Sequence, residues 1–191
     1  MWDRYKPLTK AQLKGFFKDY REAFPEWSVE CDVVLSRTVE PVKQVIFLVA
    51  LSYGAYRLQS CVRVPGPPEG GQLLFQQLDV RHREVRPREH ATKFPLVIKA
   101  MEEQFLPPVR EPLEPARVLQ LAEDRAISIG IENTPYLSSL ASLSAYLGDL
   151  DRSLMWCERS LFRLANMGRK LADWELQLIA FNQELKASIQ T

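Results

Sequence analysis

Two histidines, three cysteines and two pairs of adjacent carboxylates are the residues of this 191-residue chain whose types could carry a reaction. His82 and His90 both fall in the charge-rich run RHREVRPREH, residues 81–90. They lack the i, i+4 helical spacing by which HExxH places two ligands on one metal, so both are expected as solvent-facing loop residues. Cys31, Cys61 and Cys157 are widely separated with no CxxC pair, which calls for neither a zinc site nor a disulfide framework. Cys61, lying between Arg57 and Arg63, would gain nucleophilicity if the arginines lowered its pKa, and is otherwise a small half-buried sheet residue. Glu102-Glu103 and Glu123-Asp124 are neighbours on expected helices and point about 100° apart, which suits a wet face better than acid–base catalysis. No GxSxG, GxxxxGK[ST] or GxGxxG motif occurs, and the prolines of PGPPEGG remove the N–H groups that a phosphate cradle uses. The expectation is therefore no catalytic centre, no metal and no cofactor.

The remaining candidates are binding residues. Arg81, Arg83, Arg86 and Arg88 alternate with other residues, and together with Arg57 and Arg63 they would make one positive surface, either an idle solvated face or a contact for an acidic protein or for phosphate. Nucleic-acid readers interleave such a patch with aromatics for stacking, whereas this segment holds none and is diluted by Glu84 and Glu89. A protein partner is preferred, with a nucleic-acid or nucleotide-binding protein using the arginine face, or a helical scaffold or adaptor, as the alternatives and a hydrolase using Cys61 or His82 behind them. Trp156 and Phe162 project away from the apolar stripe of their helix: each either packs under the last helix or stands exposed as an anchor for a partner, since tryptophan and arginine dominate interface energetics.

Composition is that of an ordinary globular chain, 46% hydrophobic and 26% charged. The formal net charge of +1 hides an asymmetry: residues 1–110 carry 17 basic and 13 acidic groups, and the remainder 8 and 11. No apolar h-region follows the N-terminus and no apolar run is long enough to span a bilayer, so a cytoplasmic protein without a membrane segment is expected.

The elements that must position these residues are legible from period. Leu13, Phe16, Phe17 and Tyr20 mark a helix opening at Thr9 or Lys10 and ending by Pro25. Trp27 to Leu35 alternates as one strand, Val42 to Tyr53 reads as a central strand, and Tyr56 to Val64 with Gln72 to Val80 forms a hairpin closed by PGPPEGG. A second helix, capped by Thr92, carries Phe94, Val97, Ile98, Met101 and Phe105. The proline-studded stretch 107–115 is expected as a stiff linker between an α+β sheet domain, residues 1–106, and a helical domain, residues 116–191. In the latter, Ala116–Ile129 turns Val118, Leu121, Ala122 and Ile129 inward, and Asp173 caps a last helix with Trp174, Leu178, Phe181 and Leu185 on one stripe. The fold class expected is α+β, an antiparallel sheet of about four strands with two helices followed by about four helices.

Between those last two helices lies a helical hairpin, residues 133–165. Thr134 and Pro135 open its first helix, Gly148 closes it, Asp149 or Asp151 caps the second, and Leu154, Cys157, Leu161 and Leu164 make the inward stripe. Leu147-Gly148-Asp149-Leu150-Asp151, Ser153-Leu154, Cys157 and Ser160-Leu161 resemble the turn and second helix of a tetratricopeptide repeat. Ser153 and Ser160 stand where the repeat has alanine, and Leu143-Ser144 where it has Ala-Tyr. The resemblance implies a surface that binds other proteins. In outline, the helix, four-strand meander, helix and helical appendage also resemble bacterial immunity proteins against polymorphic toxins. That likeness implies a non-enzymatic protein that binds and neutralises a toxin domain, with Arg57, Arg63, Arg81, Arg83 and Arg86 as candidate charge contacts.

Overall fold

The computed structural model describes residues 6–68, 71–79, 81, 84–131 and 133–190. It is an α+β chain whose five strands lie in one sheet in sequence order: β1 (Ser28–Cys31), β2 (Val34–Val39), β3 (Val42–Ala50), β4 (Tyr56–Val64) and β5 (Gly71–Gln77). Adjacent strands joined by such short turns must run antiparallel, since a parallel return needs a crossover of a dozen residues or more. The single strand expected over Trp27–Leu35 is in fact two, turning at Asp32-Val33, and this makes five strands instead of four. The turn has neither glycine nor proline, and a bulge between Val29 and Cys31 breaks the period, so alternation could not reveal it.

The chain divides into two compact units, and strands β2 to β5 contribute to both. The first comprises Met1–Arg37, Gln44–Cys61 and Phe75–Pro112. Here α1 (Lys10–Ala23) opens with a capping box in which Thr9 and Gln12 satisfy each other's backbone N–H groups. Its Phe17 and Tyr20 pack with Val97, Ala100 and Met101 of α2 (His90–Gln104) onto Leu35, Ile46, Leu48 and Leu58 of the sheet. Thr92 does not cap α2. A 3₁₀ turn at Pro87–Glu89 feeds straight into it, so the helix starts at His90 and the Thr92 hydroxyl donates to the Glu89 carbonyl at 3.0 Å.

The proline segment is fastened to this unit by side chains. Gln76 both donates to the Leu106 carbonyl, at 2.7 Å, and accepts from its N–H, at 2.9 Å. Buried Gln44 donates to the Pro107 carbonyl at 2.7 Å and accepts twice from Arg37, at 2.9 and 2.6 Å. The same guanidinium donates to the carbonyls of Pro108, at 2.6 Å, and Glu111, and lies over the Trp27 ring at 5.0 Å.

The second unit comprises Thr38–Lys43, Val62–Leu74 and Leu113–Thr191. Its helices are α3 (Pro115–Ser128), α4 (Thr134–Tyr146), α5 (Leu150–Ala165) and α6 (Asp173–Gln190). Val118, Leu119, Ala122, Leu137, Leu140, Ala141, Trp156 and Cys157 form a core with Val42, Val62, Val64, Leu73 and Leu74. Ile129, expected inward, is exposed because α3 has ended at Ser128 and Gly130, at φ +58°, turns the chain away. The N-cap of α4 is Asn133 and not Thr134: its side chain accepts from the Tyr136 N–H at 3.1 Å, while Thr134 is buried inside the first turn. Asp149 caps α5 after Gly148 at φ +78°. A Cβ on Gly71 would collide with Ser139 Oγ, which accounts for the glycine at the end of the 65–71 loop.

At the start of α6 the Glu175 side chain is 0% exposed, accepting from the Ala172 N–H at 2.7 Å and from Arg169 at 2.9 and 2.7 Å. These donors hold its carboxyl below the ordinary value of 4.5, the Arg169 hydrogen bonds being the larger cause. The depressed folded value means the stabilisation is complete above the unfolded pKa and is lost as pH falls through the folded one. Urea denaturation from about pH 6 to about pH 3 should therefore show a steeper acid loss in the parent than in Glu175→Gln, and parallel curves would refute the assignment. Gln44→Leu strips acceptors from Arg37 and the donor from Pro107, and should lower unfolding free energy by about 2 kcal/mol by the same measurement at neutral pH.

Candidate functional site

The arginines singled out from sequence are divided between the units. Arg57, Arg81 and Arg86 belong to the first and Arg63 to the second. Arg57 is half-buried on β4, its Nε out of solvent with no hydrogen-bond partner among the described residues. Arg81 is exposed and its N–H donates to Asp79 at 3.1 Å, while half-buried Arg86 donates its N–H to Glu89 at 3.4 Å. Arg63 is exposed and, with Lys43 and Thr38, lines an open concavity of about 460 Å³. Arg83 and His82 lie outside the described residues.

His90, expected in solvent, is 7% exposed and sits at the centre of a chain of polar groups. Its Nε2 meets Asp19 Oδ2 of α1 at 2.7 Å, its Nδ1 meets the Tyr56 hydroxyl of β4 at 2.6 Å, and that hydroxyl meets the Tyr20 hydroxyl at 2.9 Å. A carboxylate only accepts, so Nε2 carries the hydrogen. In a neutral ring Nδ1 then accepts from Tyr56, whose oxygen accepts from Tyr20. Phe16 and Phe94 pack against the imidazole with centroids 4.6 and 5.5 Å away. Burial drives the pKa of Tyr56 and of Tyr20 upward, so neither supplies the phenolate that base or nucleophilic chemistry would use near neutrality. What the arrangement does is join α1, α2 and the sheet through one line of satisfied hydrogen bonds. The 3₁₀ turn at Pro87–Glu89 starts α2 at His90 and turns the ring inward, toward partners too distant in sequence for local pattern to reveal.

The second unit presents a different kind of surface. On α5, Trp156 is 2% exposed, its indole N–H donating to Glu123 of α3 at 2.8 Å, so it is part of the interior. Glu123, expected on a wet face, is drawn in by this bond and by Arg152 at 3.2 Å. The buried face of α5 is formed by Ser153, Trp156, Cys157, Ser160 and Leu164, with Leu154 and Leu161 only partly covered. Serine at the helix contact shifts that face by roughly half a residue's turn from the stripe read by hydropathy. Opposite it, Met155, Arg159 and Phe162 follow at helical spacing, and Phe162 is 68% exposed. Arg159 lies over the Trp156 ring at 5.6 Å, so its guanidinium is held beside this ridge.

Among the described residues no group of three or more His, Cys, Asp or Glu is placed to hold a metal ion. No helix among them is long and apolar enough to cross a membrane. Cys61 and Cys157 are buried and Cys31 is exposed, and burial pushes Cys157 up to about 11, away from thiolate reactivity. No protein-family model, curated protein or solved structure matches the chain.

Tyr56→Phe removes the middle hydroxyl of the buried chain and leaves His90 Nδ1 and the Tyr20 hydroxyl without their partner. Chemical denaturation should register a loss of about 2 kcal/mol, and a change under about 0.5 kcal/mol would show that the hydroxyls are dispensable.

Proposed function

We propose that this chain is a non-enzymatic, protein-binding protein whose contact surface includes the outer ridge of α5. The carrying observation is the pairing of exposed Phe162 and Met155 on one helix face, with Trp156 buried beneath and Arg159 stacked on it. A large apolar side chain held in water by a rigid helix is poorly placed for stability and well placed to fill a pocket on a partner. The likeness of residues 133–165 to a tetratricopeptide hairpin supports the same reading. So does the buried Glu123–Trp156 bond, which fixes the helix that carries the ridge.

The narrower form of the reading is an immunity protein of the bacterial cytoplasm that binds a toxin domain and neutralises it. Its support is the outline of sheet, helices and helical appendage, together with three cysteines that show no CxxC spacing, which suits a reducing compartment. Co-expression with toxin domains encoded beside it tests this form directly: rescue of growth supports it, and unrelieved toxicity from every neighbouring candidate removes the toxin and leaves the binding protein.

With tagged protein produced at native level in the source cells, the partner should co-purify with the parent chain. Phe162→Ala should weaken the complex at least about tenfold with no change in melting temperature, because the ring makes little contact within the chain. Retention of the partner by Phe162→Ala would move the contact surface elsewhere.

A further inference from the structure

The end of the helical unit where α5 runs into α6 carries a charge distribution that the rest of the unit does not. Residues 111–191 hold 8 basic and 11 acidic groups, yet the stretch from Arg159 to Lys170 contains Arg159, Arg163, Arg169 and Lys170 and no acid. The stretch covers the second half of α5 and the turn into α6, and it carries the chain's most exposed phenylalanine, Phe162. Leu176, 53% exposed, stands in the first turn of α6 at the same end of this helical pair.

Only part of this positive charge is consumed internally. Arg169 is committed to Glu175 through two hydrogen bonds. Arg159 is exposed with its guanidinium over the Trp156 ring at 5.6 Å, and Lys170 is exposed. Further back on the same helix, Arg152 is neutralised by Glu123 and Asp149. Two exposed cations of the stretch remain: Arg159, one helical turn before Phe162 on α5, and Lys170, in the turn between α5 and α6.

From exposed Phe162 with Arg159 one helical turn away on α5, and Lys170 exposed in the turn that follows, we infer that the partner is a protein presenting an acidic rim around an apolar pocket. The inference rests on the protein-binding reading above and specifies its chemistry. Phe162 supplies burial at the centre, while Arg159 on the same face, with Lys170 further along the chain, orients the approach and rejects basic or neutral surfaces. Arginine already stacked on an aromatic loses less side-chain freedom on docking than a free one, so Arg159 is suited to pairing with a carboxylate.

The test places the photoreactive residue benzoylphenylalanine at position 162 of the full chain in the source cells, with the same group at exposed Gln120 as control. Adducts are sequenced by mass spectrometry. The expected result is a protein adduct specific to position 162, within a segment where Asp and Glu outnumber Lys and Arg, its yield falling about tenfold in Arg159→Glu/Lys170→Glu. Circular dichroism confirms that the variants remain folded. An adduct to lipid or nucleic acid, to a second copy of this chain, or to a segment without acidic excess overturns the inference. So does a yield at 162 no higher than at 120, or one indifferent to charge reversal. If a partner still co-purifies with the unmodified chain in any of those cases, the protein-binding reading stands and the acidic assignment falls; if none co-purifies, both fall.

Discussion

A guanidinium taken out of water must find acceptors, and in the first unit Arg37 finds them in Gln44 and in the carbonyls of Pro108 and Glu111. Proline contributes no N–H, so residues 106–112 cannot be held by an ordinary ladder of backbone bonds. Side chains take over: Gln76 grips Leu106, Gln44 grips Pro107 and Arg37 grips the rest. Once that segment is fixed, Val109 lies in the core and Arg110 stacks on Phe24 at 4.4 Å while pairing with Glu102 at 2.8 Å. Burial draws the pKa of Arg37 downward, with Glu26 and Glu111 opposing it. The ion needs its acceptors as much as the carbonyls need a donor, which is why one arginine and two glutamines decide how this stretch runs.

The same requirement shapes the helical unit by another route. Where a tetratricopeptide hairpin has alanine, α5 has Ser153 and Ser160, both fully buried. The Ser153 hydroxyl donates to the Ala141 carbonyl at 2.8 Å, across to α4, and Ser160 meets Ser138 at 3.0 Å. Asn182 of α6 donates to Ser138 at 2.8 Å and to the Leu178 carbonyl at 2.7 Å. Serine is nearly as small as alanine and so permits close approach of the helices, but each hydroxyl has to be answered by a particular atom. A sliding of α4 against α5 by one residue would break these bonds, whereas an alanine contact would tolerate it. Fold specificity here comes from polar atoms in an apolar setting.

These polar devices mark the limit of what the sequence discloses. Periodicity locates α1, β3, β4 and the helices of the second unit, because burial of Phe17, Ile46, Leu58 or Leu137 is written in apolar side chains. It misses the β1–β2 turn, which is built from Asp32 and Val33 instead of glycine or proline. The inward face of α5 is misread because Ser153 and Ser160 look like surface residues, and His90 is misread because its partners, Asp19 and Tyr56, are 71 and 34 residues away. Trp156 and Phe162 read alike as residues off the apolar stripe, and what separates them is Glu123 of another helix, which takes the indole inward. Pairings of this kind follow from tertiary arrangement and leave no local trace.

The two aromatics of α5 show how such arrangement separates structure from surface. Both lie outside the hydropathic stripe, six residues apart, which sets them well round the helix from each other. Trp156 has an N–H, and Glu123 offers it a carboxylate within 2.8 Å, so the indole can be buried without a polar debt. Phe162 has no polar atom to answer for and would be the easier ring to bury, yet it is the one left in water. Folding alone would favour the reverse, because covering a phenylalanine contributes about 2 kcal/mol and leaves nothing unsatisfied. A chain that covers its tryptophan with a specific hydrogen bond and leaves phenylalanine outside beside Arg159 has a surface better explained by association than by its own stability.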